Sequence, residues 1–301
     1  MLRAMSIAVV VSCHGTVSNL EDLPAFIHNI RRGRPAPPEL IAEVKHRFQL
    51  IGGSPLMTIT AAQARALESR LGLPVVVASR LWHPYPAEVL PTLVERGIRT
   101  VISLPLAPQS VDVYHASLRE AAAKVSELNV VAVPAWGMEP ALIDSFEQTI
   151  DEAFGVVNAD ERTSIPIVLS AHSLPKRVIA SGDLYEKQFR EMAGAVAARF
   201  EARGFSVRVA FQSQGASNEA WLGPDLAETF AELSSGGAQS VLIAPIGFVA
   251  EHVETLYDLD IEAPTIAQKA GIHRLLRAKA VGDRPRFIDA LETIVRRVLP
   301  A

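Results

Sequence analysis

The sequence predicts an α/β fold of two similar halves, each a parallel sheet flanked by helices, with a cleft between them. Three observations lead there. First, short continuous apolar runs such as 6–12 (SIAVVVS) and 166–170 (PIVLS) read as strands buried on both faces, the mark of a parallel sheet. Second, segments of helical period stand between these runs, so strand and helix alternate along the chain. Third, there is a weak internal repeat. Both halves begin with a strand that delivers a histidine, VVVSCHG at His14 and IVLSAHS at His172. Both later carry a strand that ends in proline, VISLPLAP at Pro105 and VLIAPIGF at Pro245.

Taken in order, the strand 6–12 runs into Cys13, His14, Gly15 and Thr16. A helix over 23–30 closes at the basic turn Arg31, Arg32, Gly33, Arg34. A second, over 38–48, stops at 51–55 (IGGSP), and a third spans 60–71 with Thr60 as N-cap and Gly72 as its stop. Strand 75–79 precedes helix 86–96. Strand 100–104 precedes the long helix 110–127, and strand 130–133 follows. Helix 140–154 is expected to cross between the halves. Strand 166–170 ends at His172, helix 185–203 ends at Gly204, and strand 206–212 precedes helix 224–233. Strand 240–245 leads into an acidic helical segment, and an amphipathic helix over 284–299 closes the chain. The halves are therefore drawn at 1–154 and 155–301, both Rossmann-like, the second carrying the main catalytic residues. The repeat would set His14 and His172 at equivalent sheet edges.

Composition narrows the function. The chain has 301 residues, a formal charge of −4 and a single cysteine, Cys13. The charge argues against a nucleic-acid partner. One cysteine allows neither an internal disulfide nor a cysteine-ligated iron–sulfur cluster within one chain. No apolar run reaches the roughly 20 residues of a membrane span. The start, residues 1–5, is too short for a signal peptide, so a cytoplasmic protein is expected. The glycine-rich pieces at 51–53 and 236–237 match neither a Walker loop nor G-x-G-x-x-G, and no G-x-S-x-G surrounds Ser170 or Ser173.

The chemistry concentrates in the acidic segment. Glu254, Asp258 and Glu262 recur four residues apart, which stacks them on one helical face. A solvated acidic face has the same pattern. This one, however, directly follows a buried strand, and ligands of open α/β sheets bind beyond the carboxyl ends of strands. Three like charges on one stripe repel, which raises some of their pKa values unless a cation or a proton offsets them. Oxygen ligands with a nearby imidazole suit a divalent metal in transit. His172, at a strand end, is a candidate proton acceptor near neutral pH. Arg31 and Arg47 offer guanidinium forks to carboxylates. Phe48, Trp82, Tyr114, Trp221 and Phe248 are candidate walls for a flat aromatic ligand.

Four blocks carry a resemblance: IRRGRPAPPELIAEVKHRFQLIGGSPL (30–56), IVLSAHSLPKRVIASGDLYEKQ (167–188), FQSQGASNEAWLGPD (211–225) and PIGFVAEHVETLYDLDIE (245–262). Together the sequence resembles the ferrochelatases, and within them the soluble, monomeric bacterial branch that acts on coproporphyrin III. The resemblance implies a chelatase-type fold of two Rossmann-like halves and a lyase of haem biosynthesis with Fe2+ and a porphyrin as substrates. It implies no prosthetic group and no membrane span. It implies an inner metal site at His172 and Glu254 and outer acidic residues at Asp258 and Glu262, in a helix that the family widens into a π-turn. It implies porphyrin contacts at His14, Arg31, Arg47, Phe48, Ser54 and Tyr114. His14 stands where that branch usually has a tyrosine. Alternative readings are a protoporphyrin IX ferrochelatase, another tetrapyrrole chelatase and a two-lobed haem- or metal-binding protein.

Overall fold

The structure, a computed structural model, describes residues 6–125, 127–215 and 219–300. Residues 1–5, judged above for a signal peptide, and 216–218 of the third block lie outside the described residues. The chain forms two compact units, Met1–Trp136 with Gly282–Ala301, and Gly137–Val281.

The first unit is built on β1 (Ile7–Cys13), β2 (Val75–Ser79), β3 (Thr100–Pro105) and β4 (Asn129–Ala132), all parallel in the order β2-β1-β3-β4. Its helices are α1 (Leu23–Ile30), α2 (Pro38–Leu50), α3 (Leu56–Leu71), α4 (Pro86–Glu95) and α5 (Val111–Ala122). Successive side chains of a strand face opposite ways. Ala8 and Val10 of β1 therefore join Leu90, Leu93 and Leu118 of α4 and α5 in one apolar layer. Val9 and Val11, equally buried, fill the other. Helix α3 begins at Leu56, directly after Pro55, and Thr60 is a buried residue one turn inside it rather than its cap. Proline's fixed φ sets the start of the helix earlier than the Thr60 signal suggested.

The second unit contains α6 (Pro140–Ala153), β5 (Ile167–His172), α7 (Lys176–Ala180), α8 (Tyr185–Glu201), β6 (Val207–Gln212), α9 (Leu226–Ser235) and β7 (Ser240–Ala244). They are followed by α10 (Val253–Tyr257), a π-helical turn (Asp258–Glu262), α11 (Ala263–Ala270) and β8 (Arg274–Arg277). The order is β6-β5-β7-β8, again all parallel. The repeat seen in the sequence is thus a repeat of topology. β8 escaped the sequence reading because its four residues, RLLR, form a half-exposed edge strand without an apolar run.

The unit boundaries differ from the expected 154/155 division. α6 packs on α8 and β7 and so belongs to the second unit. The closing helix α12 (Pro285–Val298) returns to the first, packing on α3 and β3. Its stripe Phe287, Leu291, Ile294 and Val295 is buried, Arg70 reaches Asp289 at 2.7 Å, and Gln63 donates to the Gly282 carbonyl at 2.9 Å. An amphipathic stripe states that a helix must be covered but not by which neighbour.

After β7 the backbone passes hard against the end of β5. The Gly247 N–H donates to the Ser170 carbonyl at 3.0 Å, and a Cβ at Gly247 would lie 2.5 Å from the Ala171 Cβ. Gly247→Ala should destabilise the protein by about 1–3 kcal/mol, as overpacking does. Urea unfolding of the purified variant measures it.

Candidate active site

In a sheet ordered like β6-β5-β7-β8, the connections leave β5 and β7 in opposite directions, which opens a crevice at their carboxyl ends. His172 is the last residue of β5, and the loop after β7 carries the chain into α10, whose first turn holds Glu254. His172 Nε2 stands 3.2 Å from Glu254 Oε1. The two side chains keep 31 % and 36 % exposure, enough for an ion to reach them. On its other edge the imidazole Nδ1 lies 2.5 Å from the Ser173 carbonyl, a contact that requires Nδ1–H. Glu254 Oε2 faces His252 Nε2 at 3.4 Å, and the His252 ring leans on Phe248 with 4.8 Å between centroids.

Two residues hold this pair by its backbone, and a third holds the His252 backbone beside it. Gln212, buried at the end of β6, accepts from Ser170 Oγ at 2.8 Å and donates to the Glu254 carbonyl at 3.1 Å. Tyr185 donates its hydroxyl to the His172 carbonyl at 2.9 Å. Thr255 Oγ1 accepts from the His252 N–H at 2.9 Å. Sequence reading missed all of these roles. Gln212 and Tyr185 fall inside the quoted blocks, but no spacing or periodicity ties them to a site. Their part depends on strands and helices distant in sequence.

Electrostatics departs from expectation. Burial disfavours the His172 imidazolium, yet the Glu254 carboxylate, with the Ser173 carbonyl and the charge of Asp258, outweighs it and lifts the pKa to about 9. Burial likewise pushes Glu254 up, but His172 and then His252 hold it well below the usual carboxylate range. The resting pair is therefore imidazolium and carboxylate. At neutral pH His172 thus rests protonated, and it accepts a proton only after losing the one it holds. The Ser173 carbonyl retains Nδ1–H, so the proton that leaves His172 is that on Nε2. Its loss aims a lone pair at the point where Glu254 Oε1 also points, which suits a metal ion.

The acidic row is not a plain α-helix. The Ala263 N–H bonds to the Asp258 carbonyl five residues back, which widens the turn Asp258–Glu262. In an uninterrupted α-helix residues eight apart drift by about 80° around the axis. A π-turn has more residues per revolution, which opposes that drift between Glu254 and Glu262. Asp258 is buried and accepts a hydrogen bond from Ser213, whose φ of 60° is uncommon for a non-glycine residue. Leu259 is buried and Leu256 half-buried. No cluster of three or more His, Cys, Asp or Glu side chains sits in metal-holding geometry among the described residues.

The remaining expected residues belong to the first unit. His14 follows β1 as His172 ends β5, and it is exposed. Arg31 Nε donates to the Pro35 carbonyl at 3.2 Å, and Arg47 pairs with Glu43 one turn back at 2.5 Å. Ser54 Oγ is buried without a hydrogen-bond partner among the described residues, and Tyr114 is half-buried. Phe48 is 2 % exposed, so in this structure it presents no ring to a ligand. α2 is largely exposed, and Phe48 is its one fully buried residue.

The Ferrochelatase family model matches residues 6–299. The chain belongs to the ferrochelatase family. It is a porphyrin metal chelatase of haem biosynthesis, with a porphyrin and iron as substrates. It is 33 % identical to a ferrochelatase of Acidobacterium capsulatum over 307 residues, covering 96 % of this chain and 93 % of that protein. It is 33 % identical to the coproporphyrin III ferrochelatase of Bacillus subtilis, covering 97 % of each. Among solved structures, SirB from Bacillus subtilis with Fe3+ superposes with a TM-score of 0.63, at 14 % identity, over 98 % of this chain and 96 % of that one. That likeness is one of fold. No described helix is long and apolar enough to cross a membrane.

The raised His172 pKa has a direct consequence for stability. The group is protonated more readily folded than unfolded, where it titrates near 6.5. Its stabilising contribution is complete below about pH 6.5 and is lost as pH rises through about 9. Glu254→Gln should bring the His172 titration, followed by NMR, down from about 9 and flatten the stability change across that window.

Proposed function

We propose that this ferrochelatase inserts Fe2+ into coproporphyrin III. The observation that carries the insertion chemistry is the His172–Glu254 pair at 3.2 Å. Metal and proton compete for that pair. The arriving dication favours Glu254 and drives the proton from His172 Nε2, because metal ligands must be deprotonated to bind. The ion sheds water as the imidazole and carboxylate replace it. Its passage into the ring releases the pair, and the vacated His172 accepts one of the two pyrrole N–H protons. Glu254, with the row behind it, takes the other. One Fe2+ entering against two protons leaving conserves charge, so the row Glu254, Asp258, Glu262 serves both flows.

The choice of coproporphyrin III draws support from relatives named for that substrate at 33 % identity. It also draws on the chemistry of Arg31 and Arg47, guanidinium groups suited to the propionates of a polar ring. In this reading Ser54, whose Oγ is buried without a hydrogen-bond partner among the described residues, and Tyr114 contact the porphyrin, and His14 ligates product iron. Phe48 takes part only if α2 shifts enough to uncover it. The enzyme is proposed to be a cytoplasmic monomer without a prosthetic group. One cysteine in 301 residues cannot supply the ligands of an all-cysteine iron–sulfur cluster.

Two measurements test this. Anaerobic insertion of Fe2+ into coproporphyrin III and protoporphyrin IX, followed side by side by absorbance, should show faster turnover of coproporphyrin. Preference for protoporphyrin would overturn the substrate. His172→Ala and Glu254→Ala should each lower turnover by about a hundredfold or more, while porphyrin binding, read by fluorescence quenching, stays near wild type. Wild-type-like insertion by either variant would sink the assignment of the pair.

A further inference from the structure

We infer that Arg277 is a positioning residue for metal insertion, acting through Glu251 and Asp260 to hold the wide turn that keeps Glu254, Asp258 and Glu262 in one row. The inference rests on the reading of Glu254 as a metal-site residue given above.

Arg277 ends β8, the edge strand of the second sheet, and its side chain is 12 % exposed. Its guanidinium grips Glu251 bidentately, Nη1 to Oε1 and Nη2 to Oε2, both at 2.6 Å. Glu251 lies in the loop from β7, three residues before Glu254, and Oε1 also accepts from the Ala280 N–H at 2.9 Å. Nη2 reaches the Thr255 carbonyl of α10 at 3.4 Å. The third edge of the guanidinium faces Asp260. Nε lies 2.9 Å from Oδ1, off the line of the N–H, and so makes a charge contact rather than a hydrogen bond. One side chain thereby touches the loop before the metal-site helix, the helix itself and the middle of the π-turn.

π-helical turns are rare, occur mostly as single turns inside α-helices and are frequent at functional sites. Within the turn Asp258–Glu262, Asp258 and Glu262 belong to the acidic row, and Asp260 is the carboxylate that Arg277 engages from the sheet edge. The buried pair with Glu251 fixes where the guanidinium sits, and the Asp260 contact transmits that position to the turn. The expected loss is that of residues which orient metal ligands without touching the metal, about tenfold or more in metal affinity or activity.

Asp260 is the place to test this, because it is 44 % exposed and its replacement leaves the buried Arg277–Glu251 pair intact. Asp260→Asn should lower kcat/KM for Fe2+ by about tenfold, mainly through KM for the metal. Porphyrin affinity and Tm should stay at wild-type values. Asp260→Glu, which keeps the charge, should recover most of the activity, and Arg277→Lys should show the metal-specific loss of Asp260→Asn. Full activity in both Asp260→Asn and Arg277→Lys would overturn the inference. So would a loss shared equally by porphyrin binding and Tm in Asp260→Asn, because that describes general loosening. The alanine variants of His172 and Glu254, assayed alongside, separate the two readings. If they lose turnover while the Asp260 variants do not, only the Arg277 inference fails. If they turn over normally, the metal-site reading fails first.

Discussion

The contact between the His172 imidazolium and the Glu254 carboxylate is the interaction on which the site depends. Two ionisable groups at a strand end are costly to bury singly and tolerable as a pair. Each holds the other in its charged form, so neither group drifts toward the neutral state that burial alone would favour. In the proposed reaction the same pairing would answer to a dication. The ion would take Glu254 from the imidazolium, and loss of that proton would expose the Nε2 lone pair. The Nδ1–H to Ser173 bond leaves Nε2 as the nitrogen that would be freed.

Much of the structure serves to keep that pair at its distance. Parallel strands β5 and β7 bring His172 and the loop of Glu254 to one edge, and the absence of a side chain at Gly247 lets the loop lie against Ala171. Gln212 binds β5 through Ser170 and the Glu254 backbone at once, so a single buried amide links β5 to the loop of Glu254. Tyr185 fixes the His172 carbonyl from α8. On the far side Arg277 braces the loop and the wide turn. These supports come from four elements that are neighbours only in the folded unit, and each acts on backbone or on a partner carboxylate rather than on the reacting groups.

The two sheets share one strand order, and the first strand of each leads to a histidine, but the resemblance stops there. In the second unit the loop after β7 opens a helix and π-turn with three carboxylates, Glu254, Asp258 and Glu262, spaced four residues apart. In the first, the equivalent strand β3 leads to Pro105 and then to α5, whose first turn carries only Asp112. His115 of that helix is spent internally, between Ser103 Oγ at 2.7 Å and the Val133 carbonyl at 2.9 Å. A repeated scaffold thus carries different chemistry in each copy, because the scaffold fixes strand ends and the loops fix what stands there.

What the sequence determined by itself was local. Short apolar runs such as 6–12 and 166–170, bounded by turns and alternating with helical segments, read as buried strands, so the parallel α/β class and the repeat were legible there. The family blocks pointed to His172, Glu254, Asp258 and Glu262. Tertiary structure decided the rest. The apolar stripe of α12 did not say that it covers α3, and that of α6 did not say that it covers α8, since any apolar groove satisfies such a stripe. Phe48 read as a possible wall and is buried, because an aromatic ring looks alike in sequence whether it lines a pocket or fills a core. His172 read as a base and rests as an acid, because a pKa is set by the charge 3.2 Å away and not by the residue type. Arg277 gave no signal at all, its role arising only where a short edge strand meets a turn seventeen residues earlier in the chain.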